Sequence, residues 1–248
     1  MQVSVDRVDS LENPFWNALI GPQAAFAQVQ SNAVQPHAAR YLSGVSPIGA
    51  LEADTTGGWQ NLEILTPPGE VVAVFWPEPL ETPAGWTRIS GGNVLQMVQR
   101  QAHAPLPAPA GFVQRELTPQ DVPQMLELVR LTRPGPFQER TIELGLYLGL
   151  WDESAQEGSR LAAMTGQRAR TLDACEVSAV CTHPDYRKRG LARTLVSQVA
   201  ARTVDSGLQP FLHVNQDNLA ALETYRGLGF LPSRNLWINV LRRADEVT

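Results

Sequence analysis

Residues 180–193 have the sequence Val180-Cys181-Thr182-His183-Pro184-Asp185-Tyr186-Arg187-Lys188-Arg189-Gly190-Leu191-Ala192-Arg193. An apolar strand ends there at His183-Pro184, and a basic turn containing a glycine leads directly into a helix predicted over residues 188–205. The first amide groups of a helix have no intrahelical acceptors and lie at the positive end of its dipole, so they can bind an anion. The pattern therefore predicts a pyrophosphate-binding turn, and a solvated basic turn is the alternative.

Two other phosphate-binding turns do not match this stretch. A nucleotide P-loop needs Gly-Lys-Ser/Thr at a fixed spacing, and the dinucleotide fingerprint needs three glycines. The predicted phosphate-binding site is therefore neither of these motifs, and consists of a helix N-terminus that directly follows a strand.

A second block lies downstream, where residues 218–230 have the sequence Asn218-Leu219-Ala220-Ala221-Leu222-Glu223-Thr224-Tyr225-Arg226-Gly227-Leu228-Gly229-Phe230. Together the two blocks resemble the GNAT superfamily of acyl-CoA-dependent N-acyltransferases. The signature Arg/Gln-x-x-Gly-x-Gly/Ala is present from Arg187 to Ala192, and Asn-x-x-Ala-x-x-x-Tyr-x-x-x-Gly-Phe is present from Asn218 to Phe230. The resemblance covers residues 111–243 and is nearest to the C-terminal domain of glycine N-acyltransferases.

This resemblance implies an α/β (α+β) fold, in which a mixed central sheet splays apart at the cofactor site and carries helices on both faces. A Pro/Ala-rich linker at residues 102–111 separates this catalytic domain, residues 112–248, from a smaller α/β domain at residues 1–101. Many relatives carry a reduced copy of the same fold in that position. The first part lacks a second basic turn, so we expect one coenzyme A site.

Acetyl-CoA is the implied co-substrate, and a primary amine attacks its thioester directly, without a covalent enzyme intermediate. Backbone amides of the turn would hold the pyrophosphate, and pantetheine would pair with the strand edge at residues 180–182. The cofactor-binding residues carried over are Val180, Cys181, Thr182, Arg187, Lys188, Arg189, Gly190, Leu191, Ala192, Arg193 and Asn218. Asn218 also fits a plain helix N-cap, and both roles are compatible.

Two catalytic residues follow from the same alignment. Tyr225 corresponds to the tyrosine that protonates the departing thiolate, with a core tyrosine as the alternative. Glu176 corresponds to a general-base glutamate of histone-acetylating relatives. A carboxylate in an apolar strand needs a task or a partner, so a structural pair with an arginine such as Arg168 is the alternative.

Acceptor specificity in relatives comes from the early helices, their connecting loop and the next strand. The substrate-binding candidates are Arg133, Phe137, Arg140, Tyr147, Arg168 and His213. Guanidinium groups bind carboxylates bidentately, so we expect a small amine that carries an acidic group. The alternatives are a non-catalytic acyl-CoA-binding or sensor protein and a protein N-acetyltransferase.

Composition limits the other classes. The 248 residues are 43% hydrophobic and 18% charged with a formal net charge of −5, which favours a globular protein without a nucleic-acid partner. No apolar run reaches the ~20 residues of a membrane span, and residues 1–7 lack the layout of a secretion signal. Two cysteines, Cys175 and Cys181, at even spacing in one strand predict reduced thiols on one face and no metal site. We expect a cytoplasmic monomer or homodimer.

The periodicity also predicts local structure. In the first part a helix begins at Asn13-Pro14, and strands cover residues 71–76, 86–89 and 94–98, the last two joined by a Gly91-Gly92-Asn93 turn. In the second part the order is β-α-α-β-β-β-α-β-α-β. Its elements are a strand at 112–116, a helix opening at Thr118-Pro119, a short helix at 138–143, strands at 146–151, 160–170 and 174–182, the helix at 188–205, a strand at 210–214, a helix at 219–228 and a strand at 237–241.

Overall fold

A computed structural model describes residues 9–30, 36–155 and 159–245 of the chain. Residues 1–7, to which the expectation about a secretion signal refers, lie outside the described residues. No helix within the described ranges is long and apolar enough to cross a membrane.

The described chain forms five α-helices and eleven strands. The helices are α1 (Pro14–Leu19), α2 (Thr56–Leu65), α3 (Val122–Thr132), α4 (Leu191–Asp205) and α5 (Leu219–Arg226). The strands are β1 (Ala27–Val29), β2 (Ala38–Tyr41), β3 (Ile48–Leu51), β4 (Val71–Trp76), β5 (Trp86–Gln99), β6 (Val113–Glu116), β7 (Tyr147–Asp152), β8 (Arg160–Arg170), β9 (Ala174–Thr182), β10 (Gln209–Asn215) and β11 (Phe230–Arg243). Four short 3₁₀ segments lie at Ala24–Phe26, Pro119–Asp121, Thr141–Leu144 and Pro184–Tyr186.

All eleven strands belong to one mixed sheet in the order β1-β2-β3-β4-β11-β5-β10-β9-β8-β7-β6. The order is nearly symmetric about the central pair β11 and β5. On one side β3 and β4 are parallel and joined through α2, and on the other side β9 and β10 are parallel and joined through α4. The first part is thus a reduced copy of the second, and the two copies exchange their last strands.

The exchange places β5 between β10 and β11, so residues from before the predicted linker lie inside the second copy. Residues 102–112 themselves contain no helix or strand. Leu106 lies on α4, where its amide donates to Ser197 Oγ at 2.9 Å and its carbonyl accepts from Gln198 Nε2 at 2.5 Å. The division into units at this segment stays a prediction.

Helices cover both faces of the sheet, as predicted. Side chains alternate along β10, so Leu212 and Val214 join the apolar cluster under α4 while Phe211 joins the cluster under α1. Further along the sheet, α3 contributes Met125 and Leu128 to a separate cluster. The core therefore lies in layers above and below the sheet.

The sheet opens between β9 and β10. These strands pair only where Gln209–Phe211 meets Ala174–Glu176, and further along they separate. On its other side β9 carries one extra residue between its pairings with Met164 and Gly166, and Ala179 in that bulge has φ 51°. A bulge adds local bend and twist, which turns the free edge of β9 toward the opening.

The bulge corrects one prediction. Because one additional residue reverses the alternation, Cys175 and Cys181 lie on opposite faces of β9, and the prediction of a shared face was wrong. Both are buried free thiols, and burial raises the pKa of each to about 12.

Two further predictions were wrong, and one helix was predicted to begin too early. Residues 86–99 form one continuous strand, because Gly91, Gly92 and Asn93 pair with residues 237–239 of β11 instead of turning. The helix predicted at residues 138–143 is a 3₁₀ turn at Thr141–Leu144. The helix predicted from Lys188 begins at Leu191, since Lys188 and Gly190 have φ 62° and 78°.

Candidate active site

A cleft of about 820 Å³ occupies the opening between β9 and β10. Ser178 and Thr182 on β9 form one wall, and Val214 on β10 with Tyr225 on α5 forms the other. Arg133, at the C-terminal end of α3, closes one side of the mouth. The cleft is therefore built by the two parallel strands and by the helices that follow or flank them.

The N-terminus of α4 lies beside this cleft. The first intrahelical bond runs from the Thr194 amide to the Gly190 carbonyl at 3.0 Å, so the amides of residues 191–193 have no intrahelical acceptor. Gly190, at the N-cap, adopts φ 78°, and a β-carbon built there meets no atom within 4 Å. This space and the free amides fit a phosphate group.

Four cationic side chains surround the turn. Arg187 lines the cleft, and Arg187, Lys188, Arg189 and Arg193 are exposed. Arg189 donates to the Asp185 carbonyl at 3.2 Å and lies 5.2 Å from the centre of the Tyr186 ring. Leu191 is buried in the core and Ala192 is half-buried, so these two residues contribute backbone to the turn.

The β9 edge fits an extended ligand. Val180 and Thr182 line the cleft beyond the last pairing of β9 with β10, whereas Cys181 points into the core under α3. The Thr182 hydroxyl is buried in the described structure without a hydrogen-bond partner. Asn218 also lines the cleft, and its side chain accepts from the Ala221 amide at 3.2 Å, so it caps α5. A chain of amides such as pantetheine would supply partners to this edge.

Tyr225 reaches the cleft from α5. Its side chain is largely buried, with the residue 7% exposed, and its ring packs 6.2 Å from that of Phe230. Burial, with a smaller effect of Cys181, raises the pKa of the Tyr225 phenol above its ordinary value. The hydroxyl therefore stays protonated at neutral pH and can donate a proton.

Glu176 does not line the cleft itself; it lies behind Arg168 and His213, which do, on the face of β9 that points toward α1. Its carboxylate accepts from Nε and Nη2 of Arg168 at 2.8 and 2.7 Å and from Nδ1 of His213 at 2.8 Å. A more distant amide, that of Ala169, approaches at 3.4 Å. Burial opposes the charge, but the Arg168 guanidinium and these hydrogen bonds lower the pKa of Glu176 to about 2.

This geometry favours the structural alternative for Glu176. A carboxylate that receives four donors has no oxygen lone pair left for an incoming amine, and its low pKa makes it a weak base. The ion pair between Glu176 and Arg168 instead fixes the orientation of the Arg168 guanidinium. No described group accepts from Nη1 of Arg168, and the residue lines the cleft.

His213 is held within the core. Its ring packs against Phe15, Phe75 and Phe211 at centroid distances of 5.7, 5.0 and 5.6 Å. Because an ionised carboxylate only accepts, Nδ1 carries the proton toward Glu176, and Nε2 lies 3.4 Å from the amide nitrogen of Gln96. Both ring nitrogens are therefore engaged, although the residue borders the cleft.

The other acceptor candidates divide into three groups. Arg133 is exposed at the cleft mouth with φ 46°. Phe137 and Tyr147 pack edge to face behind the cleft, and the Tyr147 hydroxyl is buried without a partner in the described structure. Arg140 does not line the cleft, because its guanidinium pairs with Glu143 and its amide donates to the Gly44 carbonyl.

Several cleft neighbours were not predicted. Thr132 and Ser178 line the cleft, and Phe15 lies beneath the Arg168 guanidinium, 5.3 Å from its ring centre. Strand alternation could have indicated Ser178. No sequence signal points to Phe15, since it contacts residues about 150 positions away. The described ranges hold no group of three or more His, Cys, Asp or Glu that could bind a metal ion.

Comparison with known proteins agrees with this architecture. Residues 147–238 match the FR47-like protein family. A GNAT-family protein of known structure from Novosphingobium aromaticivorans DSM 12444 is 32% identical, with a TM-score of 0.80 over 94% of this chain and 98% of that chain. No match is found among curated proteins.

Two more distant structures share the fold. A GCN5-related N-acetyltransferase-like protein from Streptococcus suis 89/1591 is 18% identical, with a TM-score of 0.61 over 96% of this chain and 94% of that chain. A tandem GNAT protein from the clavulanic acid biosynthesis pathway is 15% identical, with a TM-score of 0.55 over 89% and 83% of the two chains. The second of these fits the duplicated sheet seen here.

The fold and cleft are those of an acetyltransferase class, and the chain belongs to the GNAT family. The coarse activity of this family is acyl transfer from acetyl-CoA. The nearer likeness to glycine N-acyltransferases stays a prediction.

Proposed function

We propose that this protein is an N-acetyltransferase that moves the acetyl group of acetyl-CoA to the primary amine of a small molecule. The observation that supports it most directly is the combination of free amides at residues 191–193, at the N-terminus of α4, with a free edge of β9 that lines the cleft together with Arg187 of the same turn. Bound acetyl-CoA supplies the activated acyl thioester and a thiolate leaving group.

The chain's own groups would divide the work. Amides of residues 191–193 hold the pyrophosphate, with Arg187 adding positive charge at the cleft. The free edge of β9 at Val180 and Thr182 orients the pantetheine. Tyr225 holds a proton at its buried hydroxyl and delivers it to the thiolate sulfur. Glu176 orients Arg168 and is not the base, so the proton that the attacking amine loses passes to solvent water in the open cleft, and water returns a proton to the Tyr225 phenolate.

The acceptor is proposed to carry an acidic group. Arg133 is exposed at the cleft mouth, and Arg168 presents its Nη1 to the cleft while Glu176 fixes the rest of the guanidinium. A guanidinium held in this way can bind a carboxylate with little further loss of side-chain freedom. The cleft wall also contains Asp217, a carboxylate that could bind an amine. A small molecule similar to an amino acid has both a carboxylate for the arginines and an amine for Asp217.

The competing function is an acyl-CoA sensor without turnover. It would use the same α4 amides, and Tyr225 would be only a core residue. The observation that weighs against it is the position of the Tyr225 side chain, which lines the cleft together with the free edge of β9. Acetylation of a protein amine stays the second alternative.

One pair of measurements tests the proposal. Calorimetry with coenzyme A measures binding, and a thiol-reactive dye follows thiol release from acetyl-CoA with a panel of amines, including amino acids and a basic peptide. We expect binding and release that depends on a small anionic amine. Binding without release from any amine supports the sensor, and release with the peptide alone supports protein acetylation.

A further inference from the structure

Strand β8 loses its regular pairing with both neighbouring strands around Arg168. Its pairing with β7 ends at Gly166 opposite Tyr147, so Arg168 and Arg170 extend beyond that neighbour. On the β9 side, β8 holds one extra residue between its pairings with Val177 and Cys175. This second bulge lies directly opposite Glu176. Bulges redirect side chains and leave backbone groups unpaired, so the position of Arg168 depends on what satisfies this segment.

Gln23, from the first copy of the fold, satisfies it. Its Nε2 donates to the Arg168 carbonyl at 2.6 Å and to the Leu144 carbonyl at 3.4 Å. Its Oε1 accepts from the Arg170 amide at 3.2 Å and from the Tyr41 hydroxyl at 2.7 Å. An amide side chain has two donors and two acceptor positions, and all four are used here.

Gln23 is only 3% exposed and Tyr41 is fully buried. Their contacts with β8 are therefore shielded from water, and no solvent molecule can easily replace a lost partner. The side chain of Gln23 takes the place that a neighbouring strand would have beside Arg168 and Arg170. The backbone of the bulge is fixed from the first copy.

The fixed bulge determines where the Arg168 side chain points. Glu176 holds Nε and Nη2, and the Phe15 ring of α1 lies 5.3 Å from the guanidinium carbon. Nη1 is the guanidinium nitrogen that bonds to no described group, and Arg168 lines the cleft. A shift of the Arg168 backbone would break the paired hydrogen bonds to Glu176, because bidentate geometry tolerates little displacement.

We propose that Gln23, supported by Tyr41, is a positioning residue that aims Arg168 into the cleft, so that the first copy of the fold completes the acceptor site of the second. The effect on turnover rests on the proposed acyl transfer. The effect on the position of the Arg168 side chain does not depend on acyl transfer, because it is measured at the hydrogen bond between Arg168 Nε and Glu176.

The test compares Gln23→Leu with the wild-type full chain. NMR measures solvent exchange of the Arg168 Nε–H, assigned by its absence in Arg168→Lys. We expect exchange at least ~10-fold faster in Gln23→Leu, because the Nε–H loses its protected geometry. With the amine that the wild type acetylates best, we expect the acceptor KM to rise ~10-fold while the coenzyme A Kd stays unchanged, since a lost charged hydrogen bond has about this effect.

Gln99→Leu is the matched control. Gln99 is also a buried glutamine of the first copy, and its Nε2 donates to the Leu228 carbonyl at 3.0 Å, away from Arg168. It should leave the Arg168 exchange rate and the acceptor KM as in the wild type. If the Arg168 exchange rate and the acceptor KM rise equally in Gln23→Leu and Gln99→Leu, the proposal is wrong, because the change would then reflect a general loss of stability.

Tyr41→Phe provides the second variant, since it removes one hydrogen bond to Gln23 and keeps the ring. It should move the exchange rate in the same direction by a smaller factor, even if Gln23→Leu does not fold. If Gln23→Leu folds and its Arg168 Nε–H exchanges at the wild-type rate, the proposal is wrong. If Gln23→Leu does not fold, a wild-type exchange rate in Tyr41→Phe has the same consequence. A wild type that binds coenzyme A but releases no thiol overturns the proposed function alone.

Discussion

Nε and Nη2 of Arg168 donate to the two carboxylate oxygens of Glu176 at 2.8 and 2.7 Å, in a part of the core where Glu176 is 1% exposed. Taking two charges out of water is costly, and their attraction compensates only when both partners are present and well oriented. The pair is thus a point at which one substitution leaves a buried charge without its partner.

Glu176→Gln is therefore expected to destabilise the fold by about 3–5 kcal/mol, the usual effect of breaking a buried ion pair. Urea denaturation at neutral pH measures the change. Glu143→Gln is the matched control, because it removes the same charge from the exposed pair with Arg140. That pair lies in solvent and should contribute little. Equal stability losses in the two variants would contradict this account of Glu176.

The same pair predicts how stability depends on pH. The pKa of Glu176 is lowered from 4.5 to about 2 on folding, so the folded state binds its proton less readily than the unfolded state. The stabilisation is complete above the unfolded pKa of 4.5 and is lost as the pH falls toward 2. Denaturation midpoints should drop across this window in the wild type and drop less in Glu176→Gln. Parallel curves for the two proteins would argue against the shift.

Tyr225→Phe tests the proposed proton donor. Removing a general acid typically lowers turnover by about 10²–10⁴-fold, and the retained ring should leave the core and the coenzyme A Kd unchanged. Tyr186→Phe is the control, because the Tyr186 hydroxyl donates to Asp152 and does not line the cleft. Stopped-flow or steady-state thiol release measures both. A Tyr225→Phe protein with wild-type kcat would assign Tyr225 to the core only.

Arg133 and Arg140 differ in their position relative to the proposed acceptor site, because Arg133 lines the cleft and Arg140 does not. Arg133→Ala should raise the acceptor KM by roughly 10-fold, the effect of losing a charged hydrogen bond. Arg140→Ala should leave it unchanged, because its guanidinium already pairs with Glu143 and does not line the cleft. Steady-state kinetics at saturating acetyl-CoA give both values. A larger effect for Arg140→Ala would contradict the position assigned to the acceptor.

Much of the local structure could be predicted because its signals lie within single segments. Strand Val71–Trp76 and strands Arg160–Arg170 and Ala174–Thr182 have the predicted limits, and the α4 and α5 blocks identify the family by their spacing. Asn13 caps α1 as its position before proline indicates. Each of these features depends on neighbours within a few residues of the same segment.

The rest depends on contacts between distant segments. The glycines of β5 belong to a continuous strand because they pair with β11, whereas periodicity alone predicts a turn there. The bulge at Ala179 has no glycine to mark it. Gln23 contacts Arg168, which lies 145 positions further along the chain. Long-range pairing of this kind leaves no pattern in a single segment, so the duplication and the contacts of the first copy with Arg168 emerge only in the fold.

The proposed coenzyme A binding depends on the turn at the N-terminus of α4. Gly190 and Gly207 lie at opposite ends of α4, both with positive φ (78° and 76°) and both with open space around a built β-carbon. An alanine costs about 1–2 kcal/mol of strain at either position, so Gly190→Ala and Gly207→Ala should lose similar stability. Only Gly190→Ala also places a methyl group where the phosphates would lie, and it should weaken coenzyme A binding by roughly 10-fold. Calorimetry on both variants, with matched thermal melts, checks this, and equal affinities would mean that the N-terminus of α4 does not hold the pyrophosphate.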